Sequence, residues 1–155
     1  MIELRPGDVL LYDGKGFLAW AIKTKTWSDV SHAEIYLGND VTATAKLSLG
    51  VNCYAFTKEN LKYVYRPKCK FDLDSALDWF MKPEIQSQGY DTVGLLLSFY
   101  ARLQGRANNK MFCSEVCTRV LRYGGIEPFS PEIDADAVAP SNFKYTPELR
   151  LVYRG

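Results

Sequence analysis

Apolar and polar residues alternate most cleanly over residues 31–38, Ser-His-Ala-Glu-Ile-Tyr-Leu-Gly. In an extended chain Ala33, Ile35 and Leu37 fall on one side and His32, Glu34 and Tyr36 on the other. The same period recurs over residues 41–47, where Val41, Ala43, Ala45 and Leu47 oppose Thr42, Thr44 and Lys46. The Gly38-Asn39-Asp40 turn between the two runs predicts an antiparallel hairpin. Further short strands are expected at Val9–Tyr12, after the turn Pro6-Gly7-Asp8, and at 51–56, 62–66 and 148–153. A helical period takes over in four places. Residues 17–22 predict a short helix with Trp20 on the core side. Asp72 is the expected N-cap of a helix to Met81, with Leu73, Ala76, Leu77, Phe80 and Met81 on one face and Pro83 beyond its end. Residues 92–104 are apolar almost all round and predict an interior helix stopped at Gly105. Residues 112–123 carry Cys113, Val116, Cys117, Val120 and Leu121 on one buried face, before Gly124-Gly125. Strands first and helices afterwards favour an α+β fold over a parallel α/β one.

The remaining stretches read as connections. Residues 24–29, 84–88 and 106–110 are polar loops, and 126–147, with four prolines, is expected to wrap over the surface. Trp27 either lines a cleft or packs under its loop, the second being favoured. Residues 62–68 interleave bases with aromatics (Lys62, Tyr63, Tyr65, Arg66, Lys68). This is either a strip for an anionic surface or nucleic acid, or a strand whose lysines guard a sheet edge and whose Pro67 ends the pairing. No internal repeat or linker divides the chain, so one domain spanning residues 1–155 is expected.

Composition decides between some of these readings. Lys plus Arg number 19 against 18 Asp plus Glu, a formal charge of +1. A protein that neutralises phosphates would show a basic excess, so no nucleic-acid partner is expected and the structural reading of residues 62–68 is preferred. No apolar run approaches the roughly 18 residues of a membrane span, so no transmembrane segment is expected. The opening Met-Ile-Glu-Leu-Arg-Pro-Gly-Asp lacks the basic and apolar regions of a signal peptide, which predicts a cytoplasmic protein and is compatible with a bacterial or phage origin. The four cysteines, Cys53, Cys69, Cys113 and Cys117, are then reduced thiols rather than disulfides. They form no CxxC pair, so a zinc site built from them and His32 is the lesser alternative, and neither metal nor cofactor is expected.

Chemistry concentrates at Phe112-Cys113-Ser114-Glu115-Val116-Cys117. Cys113 falls in the first turn of its helix, where free backbone N–H groups and the positive end of the helix dipole favour a thiolate. A nucleophilic cysteine also needs a base, and the chain has a single histidine, so any Cys–His pair must use His32. The plainer reading makes Cys113 a small buried apolar residue. Glu115 suits the same first turn and is read as structural.

Four stretches together resemble the circularly permuted branch of the NlpC-type papain-like superfamily of cysteine peptidases and amidases, in particular its YiiX-like members. They are Arg5-Pro6-Gly7-Asp8-Val9-Leu10-Leu11, Val30-Ser31-His32-Ala33-Glu34-Ile35-Tyr36-Leu37-Gly38, Gly89-Tyr90-Asp91 and Phe112-Cys113-Ser114-Glu115-Val116. Each is weak alone, and the order, histidine before cysteine, makes the set specific. The resemblance covers most of the chain. It implies an antiparallel sheet or small barrel packed against helices, with the nucleophile Cys113 at a helix N-terminus. His32 would be the general base, and the backbone N–H of Cys113 would contribute to an oxyanion hole. Tyr90 matches a cleft-lining position, where its hydroxyl either assists or is structural.

The family sets a polar residue on the strand after the histidine strand, to hold the imidazole in the useful tautomer. Here that strand offers Thr42 and Thr44, and Thr44 matches better by spacing. Threonine is a poor orienter and cannot balance an imidazolium charge. Glu34 shares a face with His32, but two residues along a strand span ~6–7 Å, too far for a direct bond unless the side chain curls back. The site is then a dyad, a triad with an unusual orienter, or inactive.

The function implied is a cysteine-dependent hydrolase of amide or peptide bonds, including cell-wall peptide, acting on a peptide or acyl-containing substrate through a Cys113 thioester. The alternatives are an acyl-ester hydrolase or acyltransferase, as in lecithin:retinol acyltransferase, and a degenerate binding module on the same scaffold.

Overall fold

The computed structural model describes residues 2–46, 49–90 and 110–155. In chain order these form β1 (Val9–Tyr12), α1 (Phe17–Thr26), β2 (His32–Gly38), β3 (Val41–Lys46), β4 (Gly50–Ala55) and β5 (Leu61–Pro67). Then come α2 (Leu73–Phe80), the single turn α3 (Pro83–Gln86), β6 (Gly89–Tyr90), β7 (Lys110–Met111), α4 (Cys113–Tyr123) and β8 (Leu149–Arg154). Two 3-10 turns, Ala135–Ala137 and Pro140–Lys144, lie between α4 and β8. The expected interior helix at 92–104 lies outside the described residues, as does all of the 106–110 loop except Lys110.

Six strands make one sheet in the order β4-β3-β2-β1-β5-β8, and every neighbouring pair is antiparallel. The β2–β3 hairpin turns through Asn39 and Asp40, both at positive φ, a conformation these side chains tolerate better than most. The alternation read in the sequence sorts side chains onto two faces. Val9, Leu11, Ala33 and Ile35 form the main core with Phe80 of α2 and with Val116, Val120 and Leu121 of α4. On the opposite face Leu10, Tyr12, Tyr36, Leu61 and Val64 make a second cluster, against which Ile2, Leu4, Phe56 and Tyr153 pack. The sheet is therefore covered on both sides, and burying each large aliphatic there is worth about 1.5–3 kcal/mol.

Two local devices fix the Cys113 helix against this sheet, and a third ties β1 to β5. Asp72 caps α2, its Oδ1 accepting the Ser75 N–H at 3.1 Å, and the Trp79 ring of α2 stacks on Tyr123 of α4 at 4.8 Å. The Phe71 ring lies against both Gly7, which leads into β1, and Gly124, which ends α4, and a Cβ at either position would overlap it. Asp8, just ahead of β1, is fully buried and is gripped by Arg66 of β5 in a two-point pair, Nε donating to Oδ1 at 2.8 Å and the terminal nitrogen to Oδ2 at 2.7 Å.

Several expectations are corrected. Trp20 stands 59% exposed rather than on the core side, and α1 runs on to Thr26 instead of ending at 22. Trp27 neither packs under its loop nor is buried: it ends α1 in the left-handed conformation, φ 48°, and is 97% exposed. β5 is an inner strand between β1 and β8, so its lysines guard no edge, and Pro67 still pairs in register with Leu149. Proline is tolerated there because β1 pairs with β5 only as far as Tyr65, so the missing N–H breaks no ladder bond on that side. Met81 is exposed, and Trp79 takes the buried place beside Ala76 and Phe80. Residues 126–147 do more than cover the surface, for Ile126, Val138 and Phe143 enter the main core.

Candidate active site

His32 opens β2 and Cys113 opens α4. By alternation His32 shares the sheet face of Glu34 and Tyr36, while α4 packs on the opposite face. The two meet because each stands at the end of its element. The Cys113 thiol and the His32 imidazole lie within electrostatic reach of each other, and each favours the charged form of the other. The backbone at Ala33 and Ser114 also favours the thiolate. Burial would push this thiol up, but the His32 charge and these backbone groups outweigh it and hold Cys113 below the ordinary thiol range. Cys117, one turn further along α4, behaves oppositely: burial pushes its thiol well above that range, and a Cys113 thiolate pushes it further. Position in the first turn, with a histidine at hand, separates two cysteines that the helical pattern treats alike.

The other side of the imidazole faces a carboxylate. His32 Nε2 lies 3.2 Å from Glu34 Oε1. Burial alone would pull the imidazole down; Cys113 and Glu34 overcome it and raise the ring to about 9. Glu34 is itself 2% exposed. Burial pushes its carboxyl up, and bonds from His32 and Thr42 with the nearby Lys46 charge draw it down to about 2. Thr42 Oγ1 donates to Oε2 at 2.7 Å, and Lys46 Nζ stands 3.0 Å from Oε1. The arrangement favours the charged forms of the thiol, the imidazole and the carboxylate together, beside the Lys46 ammonium, from α4 across β2 to β3. A thiolate paired with an imidazolium is the form of cysteine that attacks electrophilic carbon.

The sequence-predicted residues fare differently. Cys113 and His32 are brought together. Thr44, the orienter by family spacing, gives its hydroxyl to the carbonyl oxygen of Ala33 at 2.7 Å, and the group that reaches the ring is Glu34. The side chain does curl back, which closes the span that strand spacing alone leaves open. For Tyr90 the backbone is described: it pairs in parallel with Met111, immediately before the cysteine helix. Glu115 is buried and structural, its carboxylate bonded to Arg119 and accepting the Phe112 N–H at 3.4 Å. Lys46 was not singled out from sequence, although its parity with Thr42 and Thr44 on β3 places it on the His32 face.

The stretch 24–29 borders an open groove of about 500 Å3. Asp13, Lys23, Trp27, Asp29 and Lys62 line it, and Asp13 directly follows Tyr12, whose ring lies 6.1 Å from that of His32.

No protein-family model matches the chain, and no curated protein does. Among solved structures the chain is similar to the metalloprotein YiiX from Escherichia coli O157:H7, at a TM-score of 0.67 and 17% identity over 97% of each chain. At that identity the likeness is one of fold: the chain has a YiiX-like α+β architecture from end to end.

Proposed function

We propose that this protein is a cysteine-dependent hydrolase of the permuted papain-like kind, with Cys113 as nucleophile, His32 as general base and Glu34 as the residue that orients the imidazole. One observation carries the reading: the only histidine of the chain is coupled electrostatically to the thiol at the start of α4 and lies 3.2 Å from a buried carboxylate. In the reaction the Cys113 sulfur bonds to the carbonyl carbon of an amide or ester, and the first-turn N–H groups of α4 receive the charge on the carbonyl oxygen. The imidazolium gives its proton to the departing amine or alcohol as the C–N or C–O bond breaks, leaving a thioester and a neutral ring. The ring then takes a proton from water, the hydroxide adds to the thioester carbon, and the C–S bond breaks to release the acid and restore the thiolate–imidazolium pair. Glu34 keeps its charge throughout and balances the imidazolium.

The YiiX neighbour is described as a metalloprotein. Among the described residues of this chain no three His, Cys, Asp or Glu side chains gather closely enough to hold an ion. Both Glu34 oxygens are already bonded, and the Lys46 ammonium beside Oε1 opposes a further cation. These residues do not fit a metal. Among the described residues no helix is long and apolar enough to cross a membrane.

The test is the alkylation rate of Cys113 against pH, followed by mass spectrometry in the parent and in His32→Ala. Fast labelling at pH 6 that slows sharply without His32 supports the pair and directs a screen of peptides and acyl esters. An ordinary thiol profile, unchanged in His32→Ala, overturns the reading in favour of a binding module.

A further inference from the structure

Glu34 Oε1 has two cationic partners, His32 Nε2 at 3.2 Å and Lys46 Nζ at 3.0 Å. Lys46 is not a loose surface lysine. It is the last residue of β3, and its ammonium lies 4.4 Å from the centroid of the Tyr54 ring, on the neighbouring strand β4. The Tyr54 hydroxyl donates to the Gly50 carbonyl oxygen at 2.8 Å, and Gly50 is the in-register partner of Lys46. Ring, carboxylate and strand pairing thus fix the ammonium in place, with the cation–aromatic attraction adding to the ion pair. A carboxylate oxygen that serves two cations holds each less firmly than it would hold one, and the cations repel each other.

We propose that Lys46 is a positioning residue that shares the Glu34 carboxylate with His32 and so limits how firmly the imidazolium proton is held. The inference rests on the Cys113–His32 reading and adds a regulating element to it. A base that also returns its proton to a leaving group needs a carboxylate near enough to orient the ring, but not one that retains the proton. Lys46 supplies that balance. Thr42 completes the holding of Glu34 by donating to the other oxygen, Oε2. Among the described residues the charged or titratable groups that act on His32 or its partners are Glu34 on β2, Lys46 on β3, Tyr54 on β4, Cys113 and Cys117 on α4, and Tyr12 on β1. Of these, Lys46 alone is cationic.

Because the chain has one histidine, its titration is read without overlap by NMR of protein carrying isotope-labelled histidine. In Lys46→Met the imidazolium is expected to titrate at least about half a unit higher than in the parent. Lys46→Arg, which keeps the charge, is expected to stay near the parent. Far-UV circular dichroism and thermal melting select variants that fold, and Lys46→Gln stands in should Lys46→Met fail. A His32 titration that is unmoved or falls in folded Lys46→Met or Lys46→Gln overturns the inference. A parent His32 that titrates near 6.5 and ignores Cys113→Ala instead overturns the Cys–His reading, so the two failures are told apart.

Discussion

The carboxylate of Glu34 reaches the imidazole of His32 from two residues along the same strand, Oε1 lying 3.2 Å from Nε2. Strand neighbours at that spacing share a face but do not ordinarily touch. The carboxylate folds back because Thr42 and Lys46, both on β3, hold its two oxygens. This makes a direct prediction for Glu34→Gln. The amide keeps the shape but cannot balance an imidazolium charge, so the proton is released and the Cys113 thiol rises. Each unit of thiol rise costs tenfold in thiolate below the pKa. Labelling of Cys113 at pH 6, followed by mass spectrometry, is expected to slow about tenfold or more. An unchanged rate would remove Glu34 from the site.

The same pair sets a pH window for stability. His32 is raised to about 9 in the folded chain, so its contribution is complete below its ordinary value near 6.5 and is lost as pH rises through about 9. Glu34 is lowered to about 2, so its contribution is complete above its ordinary 4.5 and is lost as pH falls through about 2. Cys113 is lowered as well, so its share is greatest above the ordinary thiol value near 9 and fades as pH falls through its folded value. The attraction between Glu34 and His32 needs both charges. The Tm difference between the parent and Glu34→Gln should therefore be widest between about pH 4.5 and 6.5 and shrink above about 9. A difference that grows with pH would contradict the assignment of charges.

Much of this arrangement is written in local periodicity, which is why the strands around His32 and the helix from Cys113 are legible from sequence. Alternation over 31–38 depends on nearest neighbours along the chain, and so does the N-cap at Asp72. What periodicity cannot supply is the partner across the sheet. Trp20 fits an apolar helical stripe, but the stripe does not say which side another element covers. β5 was expected at an edge because its lysines resemble edge guards, and only its pairing with β8, contributed by the last residues of the chain, makes it an inner strand. The orienter is the same case in miniature: spacing pointed to Thr44, whereas the contact is decided by how the Glu34 side chain bends under the hold of β3.

Thr42 and Thr44 separate these two kinds of information experimentally. Both are fully buried, and valine replaces either at nearly the same volume. Thr44→Val removes one bond to the Ala33 carbonyl oxygen, a stability cost of about 0.5–1.5 kcal/mol, and should leave Cys113 labelling within about twofold of the parent. Thr42→Val removes a donor to an ionised carboxylate, a loss of about 1.5–3 kcal/mol, and should also slow labelling because Glu34 is then held from one side only. Chemical denaturation and labelling rates measured on the two variants check both halves. Equal slowing in both would return Thr44 to the site.

The remaining prediction lies at the other end of β2's partner strand. Asp8, in a stretch read from sequence as a turn and as part of the family resemblance, is wholly buried and held at two points by Arg66, and its Oδ2 also accepts the Arg5 N–H at 2.9 Å. Its backbone bonds to Tyr36 of β2, so it fastens β1 to the histidine strand beside the second cluster. Arg66→Met leaves a buried carboxylate without its counter-charge, and the expected loss is about 3–5 kcal/mol. The charge, not the missing packing, is the main cost, so Asp8→Asn combined with Arg66→Met should lose less than Arg66→Met alone, an outcome that urea denaturation of both variants would resolve. Arg66→Lys should fall between, since an ammonium supplies the charge without the second parallel bond. Because Asp8 is remote from Cys113 in this network, labelling of Cys113 in whichever of these variants stays folded should match the parent. Slowed labelling there would mean that the β1–β2 fastening sets the geometry of the Cys113–His32 pair.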